Sequence, residues 1–153
     1  FTQCLLDNGA LHVFAIDVGR DQLHKSLRED SRVTVMEGVN ARTLTREALG
    51  KDIDGAVMDV SFISQTLIYP ALAGLLKTGA PLITLVKPQF EVGRENIGKN
   101  GIVKDKKGTL QQLVMLKIRL AAEENGFELL KTITSPIKGS KGNTEYLALL
   151  KKQ

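Results

Sequence analysis

The most constraining feature of the chain is a run of apolar and β-branched residues at positions 82–86, which is followed at once by Lys87 and Pro88. An uninterrupted run of this kind predicts a strand that is buried on both faces, as in parallel sheets. Pro88 cannot donate to a strand ladder, so the strand should end near Lys87. The sequence therefore places a lysine just beyond the carboxyl end of a central strand, where open α/β sheets bind their ligands.

Strand and helix patterns alternate along the chain up to Asn125. The predicted strands are at 11–17, 33–36, 55–59, 82–86, 127–134 and 144–150. The predicted helices are at 1–8, 21–30, 45–49, 61–76 (kinked or broken at Pro70) and 109–125. Alternation indicates a mostly parallel sheet with right-handed crossovers, and the last two strands, joined without a helix, indicate an antiparallel hairpin. This is the Rossmann-like α/β plan of many methyltransferases.

Composition excludes several classes of protein. The 153 residues suit a single domain, and a net charge of +4 is compatible with an anionic partner without requiring one. Cys4 is the only cysteine, which excludes an intrachain disulfide and a cysteine zinc site and favours a reducing compartment. The longest apolar stretch, at 67–76, is too short to span a bilayer. His12 and His24 are isolated, so no metal site is predicted.

Acidic residues end two of the predicted strands. Asp17 follows one strand and Asp59 follows another. In nucleotide-binding sheets, a carboxylate at such a strand end accepts hydrogen bonds from ribose hydroxyls. Either residue can instead cap the helix that follows it. If Ser61 caps the helix predicted at 61–76, Asp59 is free to face the ligand crevice.

Lys87 needs a partner, because a lysine at the end of a buried strand is rarely left unpaired. Three acids are candidates: Asp59, Glu91 and Glu145. Glu145 is predicted to begin the last strand, where it can also be an ordinary edge-strand acid. The sequence alone leaves the choice among the three open.

Basic residues concentrate in two glycine-rich loops that the plan places at the carboxyl-end face of the sheet. The loop at 92–107 has no apolar period and is predicted to be irregular, and the turn at 138–143 precedes the last strand. Their basic residues are Arg94, Lys99, Lys104, Lys106 and Lys107 in the first, and Lys138 and Lys141 in the second. These residues can form a solvated surface or contact an RNA phosphate backbone.

Five segments of the chain occur in a recognisable order. They are Ala-Ile-Asp-Val-Gly at 15–19, Met-Glu at 36–37 with Asn-Ala-Arg at 40–42, Asp-Val-Ser-Phe-Ile-Ser at 59–64, Val-Lys-Pro-Gln-Phe-Glu at 86–91 and Lys-Gly-Asn-Thr-Glu-Tyr at 141–146. Together they resemble the methyltransferase domain of the TlyA family, also labelled hemolysin A, within the FtsJ-like RNA ribose methyltransferases. The resemblance covers residues 1–153 and implies a class I, Rossmann-like fold that uses S-adenosylmethionine.

The resemblance also implies an activity. It implies methyl transfer to a ribose 2′-hydroxyl of ribosomal RNA in the cytoplasm, with ribosomal RNA or a ribosomal subunit as the partner. The family has a Lys-Asp-Lys-Glu catalytic set, and Asp59, Lys87 and Glu145 match its last three members. The resemblance places the first lysine, the first strand, most of the glycine turn and an S4-like RNA-binding domain upstream of Phe1.

Cofactor and RNA contacts follow from the same resemblance. Asp17 would hold the cofactor ribose, and Asn40 and Ala41 would lie beside the adenine. The predicted cofactor-binding residues are Phe1, Thr2, Asp17, Val18, Asn40, Ala41 and Asp59. The predicted RNA-binding residues are Arg94, Lys99, Lys138 and Lys141.

Other functions remain open from the residues alone. A base-amine methyltransferase is one, because Asp59-Val60-Ser61-Phe62 distantly resembles the Asp-Pro-Pro-Tyr motif, whose aromatic ring stacks on the base. Lys87 argues against it, since amine methylation does not need a strand-end lysine. A non-catalytic, hemolysin-like interaction protein is another, although no amphipathic or apolar segment supports membrane insertion. A nicotinamide oxidoreductase shares the sheet plan, but a fold alone does not give a function.

Overall fold

The structure is a computed structural model that describes residues 1–105, 107–139 and 141–153. The described residues form two compact units, Phe1–Thr45 and Arg46–Gln153. Lys106, one of the predicted loop cations, and Ser140, in the predicted basic turn, lie outside the described residues. Within the described ranges, no helix has the length and apolar character needed to cross a membrane, and no group of three metal-ligating side chains occurs.

The first unit is built on a pair of parallel strands. Its elements are α1 (Thr2–Asp7), β1 (Val13–Asp17), α2 (Lys25–Arg28), β2 (Val33–Glu37) and a 3-10 turn (Ala41–Thr43). The register places Asp17 opposite Glu37. Because the strands are parallel, both of these carboxylates lie at the same edge of the pair.

The helix predicted at 21–30 is too long, since α2 covers only Lys25–Arg28. Asp21 has a φ of 56°, in the left-handed region that a right-handed helix excludes. The ring nitrogen of His24 accepts a hydrogen bond from the Ser26 N–H at 3.3 Å and so caps the first turn. Leucine spacing correctly predicted that a helix is present. It carries no information about where a left-handed residue begins or ends that helix.

The second unit contains a four-stranded mixed sheet. Its strands are β3 (Ala56–Met58), β4 (Pro81–Val86), β5 (Phe127–Thr134) and β6 (Tyr146–Lys152), in the order β3-β4-β6-β5. Its α-helices are α3 (Arg46–Leu49), α4 (Tyr69–Leu75), α5 (Pro88–Glu91) and α6 (Thr109–Glu124). β3 and β4 are parallel, whereas β6 is antiparallel to both β4 and β5. The predicted C-terminal hairpin is therefore confirmed, with its last strand placed inside the sheet.

Burial of β4 follows its alternation. Leu82, Thr84 and Val86 are fully buried on one face, while Ile83 and Leu85 on the other face are partly exposed. The prediction of burial on both faces is therefore wrong for the second face. Helix α6 packs a stripe of residues at four-residue intervals, Val114, Ile118 and Ala122, into the same core.

The helix predicted at 61–76 is divided into a 3-10 turn, Gln65–Leu67, and helix α4. Pro70 lies in the first turn of α4, where its missing N–H costs nothing, so it begins the helix instead of kinking it. Phe62 has a φ of 63°, which a helix excludes. The predicted cap, Ser61, consequently lies outside any helix and is free to contact another side chain.

The loop predicted to be irregular at 92–107 contains regular structure. It begins with a 3-10 turn, Arg94–Asn96, and Ile97 then forms an isolated antiparallel bridge with Val103. The Gly98 N–H donates to the carbonyl of Ile102 at 2.8 Å, which closes the turn between the bridged residues. Hydropathy periodicity could not reveal a hairpin this short.

Candidate active site

Lys87 lies at the carboxyl end of β4 and forms an ion pair with Asp59, which follows β3. The Lys87 Nζ lies 2.6 Å from Asp59 Oδ1 and donates to Ser61 Oγ at 3.0 Å. The lysine side chain is 15% exposed, so its stem is largely covered by protein. Neighbouring parallel strands end at the same edge, which is why these side chains meet. The structure thus selects Asp59 from the three acids that the sequence offered.

Glu145 lies at the same edge but is held by another residue. The antiparallel register pairs Val86 with Tyr146, so Glu145 lies beside the end of β4 and immediately before β6, not within it. Its carboxylate accepts a hydrogen bond from Gln89 Nε2 at 2.8 Å and the residue is 7% exposed. In the described structure Lys87 forms its ion pair with Asp59 and not with Glu145.

Glu91 has a different role from the one that the sequence left open for it. Its side chain is 2% exposed and forms an ion pair with Lys117 Nζ at 2.7 Å. It also accepts hydrogen bonds from Ser64 Oγ at 2.6 Å and from the Gln65 N–H at 2.9 Å. As a partner of Lys87, Glu91 is therefore ruled out. Its contacts instead tie the 59–64 segment to α5 and to α6.

Phe62 is an exposed aromatic ring next to Ser61. It is 91% exposed and adopts the left-handed conformation, which is costly for a bulky residue. Its ring centroid lies 5.0 Å from that of Phe90, with the two rings tilted by 50°. Strained residues cluster at functional sites, so Phe62 belongs with the site residues. The sequence named Phe62 only for the base-amine alternative, as a ring that stacks on the base, and not for the ribose site.

In the first unit, the structure orients Asp17 at the end of β1. Asp17 Oδ1 accepts a hydrogen bond from the Gly19 N–H at 2.7 Å, and Val18 between them is 74% exposed. Opposite Asp17, Glu37 is paired with Arg28 at 2.5 Å, and this hydrogen bond holds the pKa of Glu37 below its usual range. The Arg28 charge is thus engaged by Glu37, and Asp17 Oδ2 has no hydrogen-bond partner within the described part of the chain.

The other predicted cofactor-binding residues begin two short helical segments of the first unit. The Asn40 side chain accepts a hydrogen bond from the Arg42 N–H at 3.1 Å and caps the 3-10 turn that Ala41 begins. Phe1 occupies the N-cap position of α1 without a side-chain hydrogen bond, and Thr2 is the first residue of the helix. All four predicted residues lie at segment starts, where backbone N–H groups lack acceptors inside the helix.

The two basic loops are joined by a buried asparagine. Asn143 Nδ2 donates to the carbonyl of Gly101 at 2.8 Å, and its Oδ1 accepts from the Val103 N–H at 3.0 Å. The predicted RNA-binding residues Arg94, Lys99, Lys138 and Lys141 are all exposed on these joined loops. The sequence did not reveal Asn143, because an asparagine in a glycine-rich turn is ordinary on local grounds.

An open cleft of about 740 Å³ lies at the base of the first basic loop. Its lining residues are Asn96, Val103, Lys104, Asp105, Lys107, Thr109 and Leu110. None of them is a predicted catalytic residue. The candidate site is therefore defined by the contacts of Lys87 and not by a cavity.

A family model provides independent evidence. The model of the FtsJ-like methyltransferases matches residues 1–152. The chain belongs to the FtsJ-like methyltransferase family. This confirms the resemblance that the five sequence segments indicated.

Individual relatives agree with the family. The 16S/23S rRNA (cytidine-2′-O)-methyltransferase TlyA of Mycobacterium tuberculosis is 46% identical over 153 residues, which are 100% of this chain and 56% of TlyA. A solved structure of a hemolysin candidate from Streptococcus thermophilus has a TM-score of 0.94 at 44% identity, covering 100% of this chain and 55% of that chain. The chain thus spans just over half the length of these relatives.

A more distant structure bears on the fold alone. A SAM-dependent methyltransferase from Methanosarcina mazei has a TM-score of 0.62 at 13% identity and covers 98% of this chain and 86% of that one. At this identity only the architecture is shared. The Rossmann-like α/β fold expected of the FtsJ-like family is confirmed.

Proposed function

We propose that the chain is the methyltransferase part of a protein that methylates the 2′-hydroxyl of a ribosomal RNA nucleotide with S-adenosylmethionine. The observation that carries the proposal is the contact of Lys87 with Asp59 and Ser61 at the edge where Glu145 also lies. A ribose hydroxyl is a weak nucleophile near neutral pH and needs a positioned proton-transfer group. The name of TlyA states the same chemistry. Ribosomal RNA, or a ribosomal subunit in the cytoplasm, is then the partner.

Lys87 is proposed to orient the hydroxyl and to take its proton. An ammonium group has three hydrogens and no lone pair. Two hydrogens point to Asp59 and Ser61, and the third has no acceptor among the residues that the structure describes. In its protonated form Lys87 can donate that third hydrogen to the 2′-oxygen and orient the hydroxyl. After the amine has released one proton to solvent, its nitrogen has a lone pair that can take the hydroxyl proton as the oxygen attacks. Methyl transfer is an in-line displacement, so this positioning supplies much of the acceleration.

S-adenosylmethionine, when bound, supplies the methyl group as a sulfonium electrophile. The first unit fits this molecule, because the unpaired oxygen of Asp17 can accept from a ribose hydroxyl and exposed Val18 offers apolar surface beside it. The Ala41 N–H begins a 3-10 turn and has no acceptor inside it, so it can donate to the adenine ring. Within this unit the proposed contacts are Phe1, Thr2, Asp17, Val18, Asn40 and Ala41; Asp59, in the second unit, stays a prediction from the family resemblance.

Replacement of Asp17 by alanine should weaken S-adenosylmethionine binding about tenfold or more, because a hydrogen bond to a charged group is worth about 1.5–3 kcal/mol. Isothermal titration calorimetry on the full-length protein measures the change. Glu29→Ala, which removes an exposed acid from the same unit, serves as the control and should bind normally. Unchanged affinity of Asp17→Ala would contradict the ribose contact.

The joined basic loops are proposed to bind the RNA phosphate backbone. Asn143 joins the two loops, and their exposed cations are Arg94, Lys99, Lys138 and Lys141. Phosphate contacts of this kind strengthen binding at low salt and carry no sequence information. We also propose that both units belong to one methyltransferase domain over residues 1–153, which the family match over 1–152 supports.

Phe62 is proposed to stack on the base of the target nucleotide. Its ring is exposed, lies next to Ser61 and is backed by Phe90. Unpaired RNA bases stack on aromatic side chains, and enzymes that act within folded RNA extrude the target nucleotide. A base stacked on Phe62 would hold its own ribose near Lys87.

Phe62→Ala should lower kcat/KM for RNA about tenfold to a hundredfold, because stacking is worth about 1–3 kcal/mol per base. Phe62→Tyr keeps the aromatic face and should retain most activity. Leu113→Ala removes another exposed apolar side chain, on α6, and should have no effect. Steady-state assays with labelled S-adenosylmethionine measure all three variants. Equal kcat/KM for Phe62→Ala and the unsubstituted protein would contradict the stacking role.

The decisive test of the proposed function maps the product. Ribosomal RNA and intact subunits that lack the modification are incubated with the full-length protein and S-adenosylmethionine, and the methylated nucleotide is located by mass spectrometry. A 2′-O-methyl group blocks the oxygen that attacks the backbone in alkali, so the modified site should resist alkaline cleavage. A methylated base at a site that alkali still cleaves would favour a base-amine methyltransferase. Leakage from liposomes without any methyl transfer would favour the hemolysin-like alternative.

A further inference from the structure

We propose that Gln89 is a positioning residue for Glu145 and that α5 couples this glutamate to Lys87. The inference rests on the proposed function. Three side chains of the segment at 87–91 reach three different places. Lys87 contacts Asp59, Gln89 contacts Glu145, and Glu91 contacts the segment after β3 and α6. A single turn thus links the ends of β3 and β4 with the start of β6.

The hydrogen bond between Gln89 and Glu145 has a defined direction. A carboxylate can only accept hydrogen bonds, so the amide nitrogen of Gln89 must face it, at 2.8 Å. Hydrogen bonds to an ionised partner are stronger than neutral ones. Among residues 1–105, 107–139 and 141–153, no donor meets the buried Oε1 of Gln89. An unmet buried acceptor costs about 1–3 kcal/mol, so this amide is better explained by its contact with Glu145 than by core packing.

Gly139 lies against Oε1 of Glu145, the same oxygen that Gln89 contacts. A Cβ atom at position 139 would lie 2.5 Å from Glu145 Oε1 and 3.5 Å from Gln89 Nε2. The Gly139 N–H donates to the carbonyl of Asn143 at 2.9 Å, which holds the loop in this position. Oε1 of Glu145 therefore meets both the Gln89 amide and a backbone position with no room for a side chain.

The contact with Gln89 allows Glu145 to serve the reaction without pairing with Lys87. Gln89 follows Lys87 by two residues, so a fixed amide sets the position of the carboxylate relative to the amine. The amine of Lys87 contacts Asp59 and Ser61, so Gln89 acts through Glu145. Its replacement should lower the rate of transfer and leave S-adenosylmethionine binding unchanged.

The first experiment compares Gln89→Met with Gln112→Met in the full-length protein. Methionine keeps the length of the side chain and removes the donor, and Gln112 is an exposed glutamine of α6. Gln89→Met should lower kcat about tenfold with unchanged KM for S-adenosylmethionine, while Gln112→Met should match the unsubstituted protein. Gly139→Ala should reproduce the loss, because the added methyl group displaces the carboxylate.

A pH profile separates positioning from general damage. In Gln89→Glu, two carboxyl groups share the site, and at lower pH the protonated one can donate to the other as the amide did. Its activity relative to the unsubstituted protein should therefore fall as pH rises and the shared proton is lost. A ratio that does not change with pH, or a Gln89→Met variant with full kcat, would overturn the proposal.

One measurement does not depend on catalysis. Carbon NMR of the protein labelled at glutamate carboxyl groups should show a changed Glu145 signal in Gln89→Met and an unchanged one in Gln112→Met. If the unsubstituted protein transfers no methyl group but this signal moves, the contact stands and the proposed function fails. If methyl transfer occurs and neither the signal nor kcat responds to Gln89→Met, the positioning role fails by itself.

Discussion

Lys87→Ala should lower methyl transfer by roughly 10²- to 10⁴-fold, the range that proton-transfer groups contribute. The substitution removes the amine that Asp59 and Ser61 hold at the carboxyl end of β4. It should leave S-adenosylmethionine affinity largely intact, because the ribose and adenine contacts are proposed for other residues. Asp59 is partly exposed, so water can solvate its carboxylate after the lysine is lost and the fold should survive.

The measurement is transfer of a labelled methyl group to ribosomal RNA, with cofactor affinity determined in parallel. Lys131→Ala, which removes an exposed lysine from β5, is the matched control and should retain full activity. Lys87→Arg keeps the positive charge but presents a planar, always protonated fork, so it should not restore transfer. Substantial activity in Lys87→Ala would refute the assignment, and a parallel loss of cofactor binding would show that the lysine has another role.

The sequence predicts the site residues that lie next to the ends of strands. Each of Asp59, Lys87 and Glu145 lies next to the end of an extended run, and α/β topology places such positions at one edge of a sheet. What the sequence could not decide is which acid the lysine contacts. Glu91 is closer to Lys87 in sequence than Asp59 is, yet the turn of α5 directs it to Lys117.

Backbone conformation is a second feature of the structure that the sequence did not predict. The two predicted helices that differ most from the structure, at 21–30 and 61–76, each contain a residue with positive φ, Asp21 and Phe62 respectively. The spacing of hydrophobic residues does not reveal a single left-handed residue, particularly when that residue is not glycine. For Phe62 the same conformation that broke the predicted helix also leaves the ring exposed beside Ser61. The error in secondary structure thus has a physical cause in the conformation of Phe62, a residue that the sequence had named only for a base-amine methyltransferase.

Contacts between side chains that are distant in sequence are the third feature that the sequence did not predict. Gln89 and Glu145 are separated by 56 positions, and Val103 and Asn143 by 40. Glutamine and asparagine are common on surfaces and in turns, so their residue types carry no local signal of burial. The antiparallel register of β4 and β6 brings the segment after β4 close to the segment before β6, and these two segments contain both pairs of residues.

Glu91→Ala should have the largest effect on stability among the site variants and should also impair transfer. The substitution removes a 2% exposed carboxylate that receives hydrogen bonds from Ser64 and the Gln65 N–H and pairs with Lys117. Hydrogen bonds to a charged group are worth about 1.5–3 kcal/mol each. The N–H of buried Gln65 loses its acceptor, whereas Ser64 Oγ keeps its contact with Thr66 Oγ1 at 2.8 Å. Lys117 is partly exposed, so water offsets part of its loss. The free energy of unfolding should fall by about 2–3 kcal/mol.

Urea denaturation followed by circular dichroism measures this change, and Glu124→Ala, an exposed acid at the end of α6, is the control. Glu91→Gln keeps an acceptor for the Gln65 N–H and loses only the ion pair, so it should be intermediate. Because Glu91 ties the 59–64 segment to α5, its loss should also let Asp59 and Ser61 shift from Lys87. Transfer should therefore fall at temperatures where the variant remains folded. A Glu91→Ala variant with native stability and full activity would show that the segment is held by other contacts.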